Sequence, residues 1–284
     1  MSAIALDNTT APASARRSKD KLLIISGAVC LVVAVVAVLG TLLAPYPPDQ
    51  TDVLNASLGP SADHWFGTDG LGRDIFSRAL AGARISFAGA GFIVLGSAFF
   101  GTTLAIFAAW NGGWVDRNLN RVLNVMFAVP GILVAVLASA VFGAGFWAPV
   151  IALTIVYVPF YARVVRSAAV RECKMPYIEG LELAGASSWR ICTRHVLRNV
   201  SPIVLAQATI AFGSALVDFA AVSFLGLGVQ PPKAEWGLMV ADGRTEILNG
   251  APQQSLVAGA CIVVTVVAFN VLGDRLSSRI GADR

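Results

Sequence analysis

Long apolar runs alternate with short charged stretches along the whole chain, and six of the runs can cross a bilayer as helices. A hydrocarbon core about 30 Å thick needs roughly 20 residues at about 1.5 Å of rise each. The runs occupy 22–44, 85–109, 119–142, 146–161, 203–225 and 256–272. The fourth and sixth are short by apolar count, and the fourth can lengthen through 162–169. The pattern predicts an all-α polytopic membrane protein with six transmembrane helices. It divides into a tail at 1–21, a first helix at 22–44, a polar segment at 45–84, a five-helix core at 85–272 and a tail at 273–284.

Composition removes the main alternative. Of 284 residues, 56% are hydrophobic and 13% charged, against about 25% charged in an ordinary soluble domain. Too little polar surface remains to cover a soluble core of this size. The first run is also too long for the apolar part of a secretion signal. It ends in Pro45-Tyr46-Pro47-Pro48 with no small-x-small cleavage pattern, so a retained first span is expected.

The charges fix an orientation. Arg16, Arg17, Lys19, Lys21, Arg117, Arg121, Arg163, Arg166, Arg171, Lys174, Arg190, Arg194, Arg198, Arg275, Arg279 and Arg284 fall on the side that holds both termini. Arg73, Arg78, Arg84, Lys233 and Arg244 fall on the other. Sixteen against five predicts both termini in the cytoplasm, an alternation that requires an even number of spans. The formal charge of +4 therefore belongs to juxtamembrane loops meeting membrane lipid, and no nucleic-acid partner is implied.

Inside the runs, Gly89-Ala90-Gly91, Gly96-Ser97-Ala98, Gly101-Thr102 and Gly213-Ser214-Ala215 let helix backbones approach closely, as in packed membrane bundles. Pro130, Pro149, Pro159 and Pro202 are places where a helix can kink. Asp218 falls near the middle of the fifth run. An ionised carboxylate is expensive there, so it faces either a translocation path or a helix interface with a hydrogen-bond partner.

The stretch 171–200 is too long and too mixed in character for a simple connector. Pro176 can open a helix, Glu179 and Glu182 sit near its favourable N-terminal end, and Gly185 can close it. The piece is about two turns long and places Tyr177, Leu181 and Ala184 on one side. So short a helix needs something to lie against. Exposed Tyr177, Ile178, Leu181 and Leu183 would suit a peripheral protein. A helix lying on the membrane surface is the alternative, with Arg190, Arg194 and Arg198 meeting anionic lipid.

These residues carry a resemblance. Glu179 to Gly185, followed by His195-Val196-Leu197, resembles the Glu-Ala-Ala loop of permease subunits of ABC importers, with Gly180 and Leu181 in place of the alanines and Arg198 in place of the closing proline. His64 to Arg78, with Gly82-Ala83-Arg84-Ile85-Ser86, is similar to the Phe-Gly-Thr-Asp-x-x-Gly-Arg-Asp-x-x-Ser-Arg signature of the second permease subunit of dipeptide and oligopeptide importers. So is Ser223 to Pro232 followed by Trp236-Gly237.

The resemblance implies a subunit that forms half of a translocation path, with no cofactor of its own. Its short loop helix, Tyr177, Ile178, Glu179, Leu181, Glu182, Ala184 and Gly185, would couple to an ATPase. The implied partners are a second permease subunit, one or two cytoplasmic ATP-binding subunits, an extracytoplasmic solute-binding protein and a peptide substrate. Members of the same family also handle haem, nickel complexes and glutathione.

Two other classes fit less well. The chain has no Gly-x-x-x-x-Gly-Lys-Ser/Thr, so ATP energy must come from another polypeptide. A secondary transporter would have Asp218 as its only mid-span acid. A membrane enzyme would need a shared site, but His64 and His195 lie on opposite sides. Cys173 and Cys192 are too far apart in sequence for a metal-ligand pair.

Without the resemblance, Gly67 and Asp69-Gly70 read as turns, and Arg73, Asp74 and Arg78 as local charge pairs.

Overall fold

A computed structural model describes residues 13–282, and the named elements among them are all helices. Residues 1–12 and 283–284, which hold much of the expected N-terminal tail, lie outside the described residues. In chain order the helices are α1 (Ala13–Leu43), α2 (Ile75–Asn111), α3 (Gly113–Phe127), α4 (Gly131–Phe142), α5 (Trp147–Cys173) and α6 (Pro176–Leu183). There follow α7 (Ser188–Arg190), α8 (Leu197–Phe224), α9 (Trp236–Asp242), α10 (Arg244–Leu248) and α11 (Gln253–Ala282). A π-helical turn at Ile191–Val196 joins α7 to α8, so the chain is helical from Ser188 to Phe224.

Five of these stretches are long and apolar enough to cross a membrane. Many of their large apolar side chains face outward, among them Leu42, Val38, Phe99 and Val263. In water such a surface would drive aggregation, whereas in hydrocarbon it is already in its preferred solvent. The molecule is a polytopic membrane protein.

The third apolar run departs from expectation. Residues 119–142 form two helices, α3 and α4, bent by 78° at the break between them. Pro130 lacks an amide donor, and its ring disfavours the helical conformation in the residue before it. It is itself extended, with ψ 123°, and it is followed by Gly131, a weak helix former. Pro159 and Pro202, which have no glycine beside them, remain inside α5 and α8. Counted as one crossing, the bent pair brings the total to six spans; otherwise it is five. The other runs are extended at their ends: α2 starts at Ile75, well before the run at 85, and α5 continues through Ala162–Ala169 to Cys173.

The bundle is built around α2, which packs most extensively on α5 and also on α1 and α8. Small residues set these distances, as the sequence predicts. A methyl group added at Gly101 would stand 2.6 Å from the Tyr161 Cβ and 2.8 Å from the Val158 carbonyl oxygen, so α2 and α5 could not keep their separation. Gly101→Val is expected to destabilise the chain by about 1–3 kcal/mol through overpacking. The check is a lower thermal midpoint of the purified protein, and an unchanged midpoint would show that the helices are free to part.

The end of the bundle opposite α6 is held by buried charge. Asp69, Arg73 and Arg78 are 1%, 5% and 0% exposed. Asp69 Oδ2 accepts from Arg73 Nε at 2.6 Å and lies 3.5 Å from Arg78 Nε, while its Oδ1 accepts the Leu71 and Arg73 amides at 2.9 Å each. Arg78 Nη1 donates to the carbonyls of Pro48 at 3.0 Å and Pro232 at 3.3 Å. It thereby ties the chain after α1 to the chain before α9.

The pairing is local, as expected from sequence, but with a different partner for Arg73. Arg73 pairs with Asp69, four residues back, while Asp74 pairs with His64 at 3.0 Å. Asp74 Oδ2 also accepts the Ser77 amide at 2.8 Å, capping α2, a role that draws its carboxylate away from Arg73.

At the same end Glu235 caps α9. Its Oε2 accepts the Leu238 amide at 2.8 Å, and its Oε1 accepts the Ser86 hydroxyl at 2.9 Å. Burial pushes the Glu235 carboxyl up, against the pull of these hydrogen bonds.

Candidate functional site

α6 follows the N-terminal half of the loop expectation closely. Met175 is extended at the N-cap, Pro176 takes the first helical position and Glu179 lies in the first turn. The C-terminus closes as the sequence implies. Gly185 has φ 79°, its amide donates to the Glu182 carbonyl at 2.9 Å, and the Ala186 amide donates to the Leu181 carbonyl at 3.0 Å. That pair of bonds defines a glycine-closed helix end, and the left-handed conformation is the reason for glycine there.

The face that α6 presents differs from expectation. Ile178 is only 2% exposed and sits in a small apolar cluster with Ile106 of α2, Val165 and Ala169 of α5, and Ile191, Val196 and Val200 beyond α7. It is therefore unavailable to a peripheral partner. The periodicity explains why: a two-turn helix that must lie on its own bundle has to use one face for that purpose, and Ile178 with half-buried Leu181 supplies it. The free edge consists of Tyr177, Glu179, Glu182, Leu183 and Ala184, with Leu183 90% exposed. Trp189, beyond the helix end at Gly185, is 80% exposed.

Tyr177 is fixed by its hydroxyl. It donates to Glu172 Oε1 near the end of α5, and Asn199 near the start of α8 donates to both groups. Partial burial, then the bond to Glu172, pushes the Tyr177 phenol up to about 12, so it remains a donor throughout the physiological range. Arg190, Arg194 and Arg198 are all exposed nearby.

Asp218 is remote from this group, half-buried on α8. Its Oδ2 accepts from the Tyr157 hydroxyl on α5 at 2.8 Å. Tyr157 and Ser214, one turn before Asp218 on α8, line a cleft of about 320 Å³ with Met126, Phe127, Pro130 and Phe160. The cleft thus lies at the break between α3 and α4. Irregular backbone at membrane depth is tolerable where it lines a cavity. Arg166 of α5 makes a two-point ion pair with Asp116 at the start of α3, and Arg163 lies 4.0 Å over the Phe127 ring. α3 is thereby clamped to α5.

Sequence reasoning found Asp218 but not its partner. A lone mid-span acid needs a donor, and of the four tyrosines only Tyr157 and Tyr161 fall in apolar runs, so the search could have been narrowed to two. Glu172 and Asn199 had no such signal, because they are ordinary polar residues in a polar loop.

The chain matches the family model described as binding-protein-dependent transport system inner membrane component over residues 101–282. It also matches that for the N-terminal TM domain of oligopeptide transport permease C over residues 13–60. It is 38% identical over 258 residues to the dipeptide transport system permease protein DppC of Alkalihalophilus pseudofirmus, covering 91% of this chain and 84% of that one. It is 39% identical over 252 residues to the glutathione transport system permease protein GsiD of Pectobacterium atrosepticum, covering 88% and 83%. For the protein of the same name from Escherichia coli the identity is 40% over 247 residues, covering 87% and 81%. The chain belongs to the binding-protein-dependent transport system inner membrane component family, as an ABC importer permease subunit of the dipeptide and oligopeptide type.

Proposed function

We propose that this subunit imports a small peptide by alternating access, taking its force from a separate ATPase through α6. The observation that carries the reading is the division of α6 into two edges. Ile178 and Leu181 seat it on its own bundle, and Leu183, Glu179, Glu182 and Ala184 are left bare for a partner. A surface helix in lipid would bury its apolar edge in the membrane, whereas here Ile178 is buried in protein and Glu179 and Glu182 flank the bare Leu183.

With the bent α3–α4 pair taken as one crossing, six spans place both chain ends and α6 on one side. The sixteen-to-five excess of Lys and Arg makes that side the cytoplasm. The full assembly would contain a second permease subunit, one or two cytoplasmic ATP-binding subunits and an extracytoplasmic solute-binding protein. The Asp218–Tyr157 pair, beside the cleft at the break, is then a polar station on the path. The names of the relatives, dipeptide and glutathione permeases, support a cargo among short peptides, and selection among them belongs to the solute-binding protein.

The orientation has a direct test. A single cysteine at Leu183→Cys, in a chain lacking its four native cysteines, should resist a membrane-impermeant maleimide in intact cells and react once the cells are permeabilised. Full reaction in intact cells would place α6 outside and end the proposal.

A further inference from the structure

We propose that Glu172, Tyr177 and Asn199 form a hydrogen-bonded joint that passes movement of α6 into α5 and α8 together. The proposal rests on the coupling reading above and identifies the residues that transmit it.

The geometry is closed. Glu172 Oε1 accepts from both Tyr177 Oη and Asn199 Nδ2, the latter at 2.6 Å, and Asn199 Nδ2 also lies 3.1 Å from Tyr177 Oη. One side chain comes from each of three elements: the end of α5, the first turn of α6 and the first turn of α8.

The apolar seat of α6 cannot do this work alone. Burial of Ile178 opposes lifting α6 away from the bundle, but the hydrophobic effect is non-directional and resists sliding and rotation weakly. Hydrogen bonds weaken steeply with misalignment, and a bond with a charged acceptor is about twice as strong as a neutral one. A carboxylate shared by two donors therefore fixes the angle at which α6 meets both helices. The backbone itself links α6 to α5 through only Lys174 and Met175, and reaches α8 through a π-helical turn.

The two helices held by the joint also carry the pair at the cleft. Tyr157 lies 15 residues before Glu172 on α5, and Asp218 lies 19 residues after Asn199 on α8. At about 1.5 Å per residue these are levers of about 22 and 28 Å. A change of angle at the joint is therefore felt where Tyr157 and Asp218 meet. Glu172, Tyr177 and Asn199 are positioning residues, since none of them borders the cleft.

The test uses the whole transporter, with its second permease and ATP-binding subunits, reconstituted in vesicles. The reporter is Ser214→Cys in a chain without native cysteines, because Ser214 lines the cleft. Its reaction rate with a methanethiosulfonate reagent is measured without nucleotide and after trapping with Mg-ATP and vanadate. In the chain with an intact joint, trapping should change the rate by about fivefold or more. Glu172→Ala and Asn199→Ala should reduce that response to less than about twofold while the ATP-binding subunits stay bound and hydrolyse ATP. Glu172→Gln, which keeps an acceptor oxygen, should retain most of it.

A response that persists in both Glu172→Ala and Asn199→Ala overturns the joint alone. A response absent from the chain with an intact joint overturns the coupling reading, and the joint with it.

Discussion

Asp69→Ala should be the most destabilising single substitution at the end of the molecule opposite α6, by about 3–5 kcal/mol, because it strips the counter-charge from two buried guanidiniums at once. Arg73 and Arg78 are 5% and 0% exposed, and Asp69 Oδ2 lies within 2.6 and 3.5 Å of their Nε atoms. The Leu71 and Arg73 amides that Oδ1 accepts also lose their partner.

The surroundings offer little compensation. Asp242 Oδ2 stands 4.0 Å from Arg73 Nη2, and Asp49 Oδ1 stands 3.5 Å from Arg78 Nη1. Asp49 is exposed and well screened. Asp69→Asn, which keeps an acceptor oxygen for the amides but not the charge, should fall between the native chain and Asp69→Ala. The measurement is the thermal midpoint of the detergent-purified chain. A native midpoint for Asp69→Ala would mean that Arg78 is held by its carbonyl contacts to Pro48 and Pro232, and Arg73 by Asp242, with no need of the acid.

Ile178→Asp should release α6 from the bundle while leaving the transmembrane helices in place. The side chain enters a cluster that Ile106, Val165, Ile191 and Val196 line with hydrocarbon, and an unpaired carboxylate there must either take up a proton or leave. Leaving is open to it because α6 has only eight residues and connections on both sides. Loss of about 2 kcal/mol or more of docking energy corresponds to about thirtyfold faster amide hydrogen exchange over 176–183. Under the proposed coupling through α6, ATP-driven transport should fall in step. Ile178→Val, which removes one methylene at a cost of about 0.5–1.5 kcal/mol, should leave transport near native. Unchanged exchange in Ile178→Asp would show that the Tyr177–Glu172–Asn199 bonds alone hold α6.

The spans were legible because each apolar run is far longer than a soluble core helix requires and the charges between them alternate in number from side to side. Direction within a run was not legible. In 119–142 nearly every position after Met126 is apolar, so no periodicity marks the change of axis, and a proline alone does not mark a break, as Pro159 and Pro202 show. The glycine after Pro130 and the polar residues Arg117, Asn120, Arg121 and Asn124, spaced along one face of α3, were the available signs that the first half is a separate, half-polar helix.

The loop at 171–200 shows the same limit on a smaller scale. Pro176 and Gly185 fix its ends by backbone chemistry that any sequence displays, and the structure agrees at both. Which apolar residue turns inward depends on what lies beneath. Tyr177, Ile178 and Leu181 were equivalent candidates until α2, α5 and the π-helical turn supplied a pocket for Ile178. Asp218 was legible as an anomaly, but its partner Tyr157 sits on another helix and entered only with the packing.

The most direct measurement replaces 179–185 with a Gly-Ser segment of equal length and counts the ATP-binding subunits that remain with the chain, by native mass spectrometry of the assembly extracted in mild detergent. The chain should still reach the membrane and keep its second permease subunit, while the ATP-binding subunits are lost. Their retention at the native ratio would mean that the ATPase grips the permease elsewhere and that α6 is not where its force enters.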